Sequence, residues 1–407
     1  MNAPLRHANI DPIDALLMDV ARRVQLSTSK HEIAERNFNA LCQHVDREGS
    51  PLAGKVLQCY PSGSFAIGTA ILSHVKTSQH DVDVVLEVDF PPDTSPRRLL
   101  QLLFEAINGP LGSRYHGRVK LNSRCVTVTY EDGTRVDLMP VARLAGEVER
   151  AAHLFHYKVE TGEEYHKPVN PWGFAHHFNC KVEVMTDFAR SYRNLGLTVL
   201  EKAATEPMPD HVPLSEKSPR VVAIQLSKRA RDIDYRRRGK RCRKPPAVVI
   251  AGLALEMGPV QPRLIDELIA LVTHMAQRIT SESYKGQRFR LFNPSYARDE
   301  FTDRWPEDLQ AQKIYAQDLR RFRAALYRLR NDALSPEQLK SELEQLFGES
   351  AATYAVEAFL EKRQQEASSG KLAFGRHGRV LIGAGAAISA ATRARASTFE
   401  GGDKLPE

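Results

Sequence analysis

The stretch from His80 to Val88 alternates acidic and apolar residues, and it constrains the fold of the chain more than any other segment. Side chains point alternately to the two faces of a β-strand, so Asp81 and Asp83 fall on one face and the valines beside them on the other. The apolar face can pack into a core and leave two carboxylates side by side. This segment therefore predicts a strand that is buried on one face and acidic on the other.

A third carboxylate, Asp137, lies in a second predicted strand. Residues 126–130 and 135–139 both read as strands, and the Asp-Gly turn between them predicts a β-hairpin. Clustered carboxylates repel one another unless a cation lies between them, and Mg²⁺ prefers carboxylate and phosphate oxygens. Asp81, Asp83 and Asp137 are therefore candidate ligands for two Mg²⁺ ions, with Mn²⁺ as a substitute, in a site that activates an attacking hydroxyl. The alternative is that the acids are solvated edge residues that discourage sheet pairing.

Composition narrows the class of protein. The chain has 407 residues, more than one typical core holds, so two lobes are expected. Its formal net charge of +7 favours an anionic substrate such as a nucleotide or a nucleic acid. Five widely spaced cysteines argue against a disulfide framework and for a reducing compartment. No stretch resembles a signal peptide or a membrane span, so a cytoplasmic location is predicted.

The pattern of apolar residues divides the chain into three parts. Residues 1–165 are predicted to form a catalytic lobe that mixes helices and strands, begins with long helices and ends in a polar crossover over 145–170. Residues 166–375 carry helical patterns almost throughout, so they are predicted to form a helical lobe. Residues 376–407 are predicted to be a flexible tail, because the last stretch has little apolar surface to bury.

Further motifs accompany the acids along the chain. A Gly-Ser pair precedes the acidic strand, an Asn-Pro pair opens the helical half, and a basic helix and an acidic-aromatic segment follow. In order, the motifs are Gly63-Ser64, Asp81-Val82-Asp83, Asp137-Leu138, Asn170-Pro171-Trp172-Gly173, Ile224-Gln225-Leu226-Ser227-Lys228-Arg229 and Glu300-Phe301-Thr302-Asp303. As a set, they resemble the motifs of the bacterial cGAS/DncV-like nucleotidyltransferases (CD-NTases), which make cyclic oligonucleotide signals in antiphage defence.

This resemblance implies a fold and an activity. The fold is α/β plus α: a polymerase-beta-like nucleotidyltransferase core with a mixed sheet, followed by a helical lobe. The activity is that of a cyclic oligonucleotide synthase, which joins two or three nucleoside triphosphates, ATP or GTP or both, and releases pyrophosphate. The product is expected to be a second messenger for antiviral defence. A downstream effector that senses it and an accessory protein acting on the C-terminal tail are implied as partners.

The resemblance also implies roles for individual residues. Asp81 and Asp83 would each hold both Mg²⁺ ions, and Asp137 would bind the catalytic ion only. Gly63 and Ser64 would bind the terminal phosphates, which suits a Gly-led turn at a helix N-terminus, although Ser64 could instead be a simple N-cap. Lys228 would neutralise triphosphate charge from the other lobe, or else be an ordinary solvated lysine.

The chain departs from the family pattern in one motif and carries an unusual basic run. Many relatives have a serine where this chain has Ala247, after Lys244-Pro245-Pro246, so that contact to the phosphates is absent or made elsewhere. Residues 228–244 include ten Lys or Arg in 17 positions. A nucleic-acid surface is one interpretation, but a solvated, mobile loop is favoured because base stacking needs aromatic platforms and only Tyr235 interrupts the run. Nucleic acid is therefore not expected to be required, and no membrane partner is expected.

Two other functions stay open at this point. A template-independent RNA nucleotidyltransferase would use the same acids on a different acceptor. A catalytically silent nucleic-acid-binding protein on the same fold would have no need of the acids. A zinc site at His176, His177 and Cys180 is disfavoured, because this spacing fits no standard zinc finger.

Overall fold

The computed structural model describes residues 11–73, 79–182, 204–205, 208–209, 211–212, 214, 217–239, 242–368, 372–374, 380–382 and 392–393. Its helices are α1 (Pro12–Val24), α2 (Thr28–Val45), α3 (Gly63–Ala66), α4 (Pro96–Asn108), α5 (Pro171–Lys181), α6 (Pro219–Arg238), α7 (Ala247–Leu255), α8 (Leu264–Tyr284), α9 (Leu309–Asn331), α10 (Pro336–Phe347) and α11 (Glu349–Ser368). Its strands are β1 (Val56–Pro61), β2 (His80–Val88), β3 (Val119–Leu121), β4 (Val126–Thr129), β5 (Thr134–Arg143), β6 (Ala152–Lys158), β7 (Glu163–Val169), β8 (Ala204–Thr205), β9 (Phe292–Asn293), β10 (Tyr296–Glu300), β11 (Leu372–Phe374), β12 (Val380–Ile382) and β13 (Thr392–Arg393).

A mixed sheet forms the centre of the first lobe. Its strands run in the order β3-β4-β5-β2-β1-β8, and the β6–β7 hairpin continues from β5. Strands β2 and β5 are parallel, whereas β1 and β4 run antiparallel to them. Val82, Val84 and Leu86 of β2 are buried in one core with side chains of α2 and α4. The predicted α/β core with one buried face of the acidic strand is confirmed.

The helical lobe has a separate apolar core. Helices α5 to α11 contribute to it, and Trp305 is fully buried there. Leu16, Val20 and the other buried residues of α1 belong to this core, and α1 packs against α11 rather than against the sheet. The packing therefore places α1 with the helical lobe, although its sequence position grouped it with the catalytic lobe. The boundary near residue 165 stays a prediction.

Several local predictions need correction. Residues 145–170, expected as a polar crossover, contain the β6–β7 hairpin, which is paired along its whole length. The helix expected just after Gly63-Ser64 is the single turn α3. Within the predicted tail 376–407, β12 and β13 pair with β11, and the other tail residues lie outside the described part of the chain.

The cysteines also differ from expectation. Cys42 of α2 and Cys59 of β1 form a disulfide, although cysteine spacing argued against disulfides. Spacing alone missed the pair because the bridge joins a helix to a strand that only the fold brings together. Cys125, Cys180 and Cys242 are free thiols. Among the described helices, none is long and apolar enough to cross a membrane.

Candidate active site

The two acid-bearing strands lie side by side, so the sheet itself brings the three predicted acids together. In the parallel β2–β5 pair, Asp83 is the register partner of Asp137, and Asp81 is the partner of Arg135. Adjacent strands are about 5 Å apart, so Asp83 and Asp137 face each other as nearest neighbours. Asp81 lies on the same face of β2, with its side chain 60% exposed and its Oδ1 3.6 Å from Arg135 Nη1.

The pKa values of Asp83 and Asp137 show that it is unfavourable to hold three ionised carboxylates close together. Burial, followed by the charges of Asp137 and Asp81, raises the pKa of Asp83 to about 7. Burial and Asp81 also raise the pKa of Asp137, although a hydrogen bond from Thr127 opposes that rise. Burial and like charges penalise the ionised form. A cation between the carboxylates would remove this penalty, so the donor set fits a divalent metal.

The carboxylates do not enclose an ion in the arrangement described. Among the described residues, no three His, Cys, Asp or Glu side chains converge as a ready metal-binding group. The exposed Asp81 carboxylate lies 3.6 Å from Arg135 Nη1, whereas Asp83 and Asp137 are register partners. At the disfavoured zinc site of His176, His177 and Cys180, His176 Nε2 lies 3.8 Å from Cys180 Sγ, and the absence of zinc there stays a prediction.

The Gly63-Ser64 turn is built directly onto Asp83. Gly63 has φ +54°, and a Cβ added there would lie 2.9 Å from Asp83 Cγ and closer still to Oδ2. Only glycine combines this backbone conformation with so close an approach. The N–H of Ser62 donates to the Asp83 carbonyl oxygen at 2.8 Å, and the N–H of Ser64 bonds to the Asp83 carboxylate. The turn and the acid therefore form one unit.

The structure also corrects how this turn was expected to work. The N-cap position of α3 is Ser62, so the N-cap alternative for Ser64 is wrong. Helix α3 has four residues, which is too short for a helix dipole to attract phosphate. Any phosphate contact by Gly63 and Ser64 must come from the N–H groups of the turn and from the Ser64 hydroxyl.

Thr127 and Asn122 support Asp137, and sequence reasoning missed both. Thr127 of β4 is the register partner of Asp137, is 2% exposed, and donates its hydroxyl hydrogen bond to Asp137 Oδ1. Asn122 Nδ2 in turn donates to Thr127 Oγ1 at 2.6 Å. A signal was available, because the predicted hairpin with its short Asp-Gly turn pairs residue 127 with residue 137. Thr127 is therefore a positioning residue for the third acid.

Replacing Thr127 by valine is expected to lower kcat about ten- to a hundredfold, because a hydrogen bond to a charged carboxylate is lost at nearly constant volume. The variant should also need a higher Mg²⁺ concentration for half-maximal rate. Steady-state kinetics over a Mg²⁺ series would test this, with Thr127→Ser as the matched control that keeps the hydroxyl. Equal Mg²⁺ dependence in the wild type and Thr127→Val would show that Thr127 only packs the hairpin.

Helix α6 holds the segment that links the Gly-Ser turn to the acidic strand. Three of its side chains donate to backbone carbonyls of that segment: Gln225 Nε2 to Ala70 at 2.9 Å, Lys228 Nζ to Thr69 at 2.7 Å and Arg229 Nη2 to Leu72 at 2.9 Å. We call this set of three hydrogen bonds the α6 clasp. It connects the helical lobe to the catalytic lobe within a few residues of β2.

Lys228 is thus placed near the acids but is not exposed. It is 5% exposed, so the alternative of an ordinary solvated lysine is wrong. Burial, followed by the charge of Arg231, lowers its pKa to about 7, while Asp232 and Asp83 act in the opposite direction. Its ammonium group lies close enough to Asp83 to influence it. The role of Lys228 toward a triphosphate stays a prediction.

The basic run over 228–244 is largely helical rather than a solvated loop, so that expectation is wrong. Helix α6 continues to Arg238, and several of its cations are paired within the protein. Arg231 and Lys244 both bind Asp232, and Arg238 binds Asp318. Residues 240 and 241 lie outside the described residues. Because Arg231, Arg238 and Lys244 are compensated internally, the nucleic-acid interpretation loses support.

A second contact between the lobes was not foreseen from the sequence. Arg124 of the catalytic lobe forms an ion pair with Asp303, and donates to Tyr165 Oη at 3.0 Å. Lys167 Nζ lies 3.6 Å from the other oxygen of Asp303 and 3.3 Å from Asp299. The late acidic-aromatic motif therefore acts as an interlobe contact. Trp305, beside it, is core, as its size predicts.

Known proteins resemble this chain along most of its length. Residues 13–153 match the family model of the Second Messenger Oligonucleotide or Dinucleotide Synthetase domain. The cyclic dinucleotide synthase CdnG of Bradyrhizobium diazoefficiens is 30% identical over 385 residues, covering 93% of this chain and 90% of that protein. The c-di-GMP synthase of Roseivirga ehrenbergii is 20% identical over 304 residues, covering 74% of this chain and 76% of that protein.

Solved structures give the same result. The CD-NTase CdnG of Bradyrhizobium diazoefficiens, solved in complex with GTP, superposes with a TM-score of 0.71 over 86% of this chain and 99% of that chain. Apo DncV of Vibrio cholerae has a TM-score of 0.50 at 14% identity, covering 85% of this chain and 89% of that chain, and shows the fold alone. The identity and coverage shared with CdnG establish the family. The chain belongs to the CD-NTases, the nucleotidyltransferases that make second-messenger cyclic oligonucleotides from nucleoside triphosphates.

Proposed function

We propose that this enzyme converts GTP into a guanine-containing cyclic dinucleotide, using two Mg²⁺ ions held by Asp81, Asp83 and Asp137. Support for guanine comes from the relative CdnG, which was solved with GTP, and from the more distant c-di-GMP synthase. Support for a ring of two nucleotides, rather than three, comes from the names of the same two relatives.

One observation carries the proposal: Asp83 faces Asp137 across a parallel strand pair, and the Gly63 turn approaches the Asp83 carboxylate so closely that a Cβ would overlap it. This places two carboxylates and the Gly63-Ser64 turn next to one another on the sheet. Carboxylates bind metal, and turn N–H groups bind phosphate oxygens. A triphosphate with its metal ions is the ligand that uses both.

Each residue of the site would have its own role in nucleotidyl transfer. Asp81 and Asp83 would hold both ions, and Asp137 would hold the ion beside the acceptor hydroxyl. When bound, the ions would lower the pKa of that hydroxyl and neutralise the triphosphate. Thr127 fixes the orientation of Asp137, and the Gly63-Ser64 turn would orient the terminal phosphates. Such positioning and electrostatics account for most of the rate in phosphoryl transfer.

The proposal also covers a missing phosphate contact, the partners, the cellular location and the alternative acceptor. Helix α7 begins at Ala247, whose side chain has no hydroxyl, so the hydroxyl that many relatives offer there is absent. Partners would be an effector that senses the cyclic product and an accessory protein at the C-terminal tail. A cytoplasmic location fits nucleoside triphosphates as substrates. The RNA nucleotidyltransferase is the second candidate, although the internally paired charges of α6 do not favour it.

Base choice is tested by giving the purified enzyme each nucleoside triphosphate alone and in pairs, with Mg²⁺. GTP alone should yield a phosphatase-resistant product with the mass of a cyclic diguanylate. A product that requires ATP together with GTP would replace the guanine-only assignment with a mixed one. Extension of an RNA primer, without resistant small products, would favour the RNA nucleotidyltransferase instead.

A further inference from the structure

A large cavity lies away from the acids, on the side of the molecule formed by α1, α2, α6 and the start of α11. Its volume is about 840 Å³, which is within the range of small-molecule sites. Its lining includes five cationic side chains and one carboxylate, Glu349. The cations come from three different helices and are Arg22, Arg23, Lys30, Arg229 and Arg236.

Among the cations of the cavity, Arg229 is the one whose charge most requires compensation by an anion. It is 5% exposed, and although its Nη2 donates to the Leu72 carbonyl at 2.9 Å, its Nε has no hydrogen-bond partner in the described structure. Burial lowers its pKa to about 10, and nearby Asp232 offsets this only in part. Because it forms no ion pair among the described residues, a buried guanidinium faces the cavity without a bound carboxylate. Such an arrangement is costly unless another anion compensates it.

Positive charge at the rim of the cavity comes from Arg22, Arg23 and Arg236. Arg22 pairs with Asp19 at 2.6 Å but remains largely exposed, and Arg23 contacts the Ser350 hydroxyl and the Tyr354 ring. Arg236 is exposed and forms no ion pair within the described part of the chain. The cavity is therefore positively charged both at its base and around its mouth.

We propose that this cavity binds a small molecule with two or more phosphate groups. Guanidinium groups match phosphate oxygens in geometry and charge, and several of them converge here from separate helices. The concave shape favours a small molecule over a nucleic-acid duplex, whose convex surface would reach only the rim. The phosphates could come from a free polyphosphate or nucleotide, or from a cyclic dinucleotide of the kind that the proposed function produces. Binding itself does not depend on that function.

The position of the cavity gives this site a connection to the acids. Leu72 and Ser73 line the cavity, and Arg229 holds the Leu72 carbonyl as part of the α6 clasp. A ligand bound to Arg229 would therefore lie beside Leu72 and Ser73, which follow the Gly63-Ser64 turn in the chain.

Isothermal titration calorimetry in EDTA tests the site, because phosphate binding at the acids depends on metal. The probes are inorganic tripolyphosphate and cyclic di-GMP, with guanosine as the phosphate-free comparison. The double variant Arg22→Ala/Arg236→Ala removes two exposed cavity cations. Its matched control, Arg98→Ala/Lys313→Ala, removes two exposed cations elsewhere, on α4 and α9. Thermal melting of both variants confirms that they are folded.

At least one phosphate probe should bind the wild type and the control equally, and bind the cavity variant about tenfold or more weakly. The probe that binds names the source: tripolyphosphate indicates a free polyphosphate or nucleotide, and cyclic di-GMP indicates the cyclic product. Binding by neither probe, or equal binding by all three proteins, would overturn the proposal. Binding of a short RNA duplex, weakened by the same substitutions while neither small probe binds, would overturn it in favour of a nucleic-acid surface.

Discussion

Asp83→Asn is expected to abolish synthesis, with a loss of at least about 10³-fold in turnover, and yet to melt at a higher temperature than the wild type in EDTA. The activity falls because a neutral amide cannot hold the divalent ions. The stability rises because Asp83 is half-buried beside Asp137, and both desolvation and that neighbour raise its pKa to about 7. A raised pKa means that the ionised carboxylate is less favourable in the folded state than in the unfolded chain. The asparagine removes that charge.

Metal addition separates the two effects of this substitution. Mg²⁺ or Mn²⁺ should raise the melting temperature of the wild type, because a ligand that binds the folded state stabilises it. The same ions should leave Asp83→Asn nearly unchanged. Asp89→Asn, an exposed change at the residue that follows β2, is the control and should behave like the wild type in both assays. Full turnover by Asp83→Asn would remove Asp83 from the metal site.

Gly63→Ala is expected to cost at least about a hundredfold in turnover and about 2 kcal/mol or more in stability. Two effects combine at this position. The φ of +54° disfavours any residue with a Cβ, and the added atom would overlap the Asp83 carboxylate. The acid would have to turn away from the point where it faces Asp137. Turnover and chemical denaturation measured together would separate the loss of geometry from the loss of folded protein.

Gly162→Ala is the matched control for that prediction. Gly162 has φ +70°, but an added Cβ would meet nothing within 4 Å. Gly162→Ala should therefore lose only the stability that the unfavourable backbone conformation costs, about 1 kcal/mol, and should keep its activity. If Gly63→Ala were as active as Gly162→Ala, the close approach of the turn to Asp83 would have no catalytic meaning.

The part of the site that could be predicted from the sequence is the part set by local periodicity. Two-residue alternation placed Asp81 and Asp83 on one face, and the Asp-Gly turn predicted the hairpin of Asp137. The pairing of Thr127 with Asp137 could have been predicted in the same way, because a hairpin of known turn length has a known register. The β6–β7 hairpin was not, since β7 is exposed or half-buried along most of its length and shows no apolar alternation.

Contacts between the lobes were beyond sequence reasoning for a physical reason. The α6 clasp joins residues more than 150 positions apart, and the Arg124–Asp303 ion pair joins residues 179 apart. The position of α1 and the Cys42–Cys59 disulfide likewise depend on which surfaces meet after folding. The basic run looked like a solvated loop because its spacing does not show that Arg231 and Arg238 have internal carboxylate partners.

The most direct test of the account is a single reaction analysed by mass spectrometry. Purified enzyme is incubated with Mg²⁺ and all four ribonucleoside triphosphates, treated with phosphatase, and compared with Asp81→Ala/Asp83→Ala. The account predicts a phosphatase-resistant cyclic dinucleotide that contains guanine and is missing from the double variant. A resistant product of equal yield in the variant, or only linear products from the wild type, would contradict the claim that these acids carry out cyclic dinucleotide synthesis.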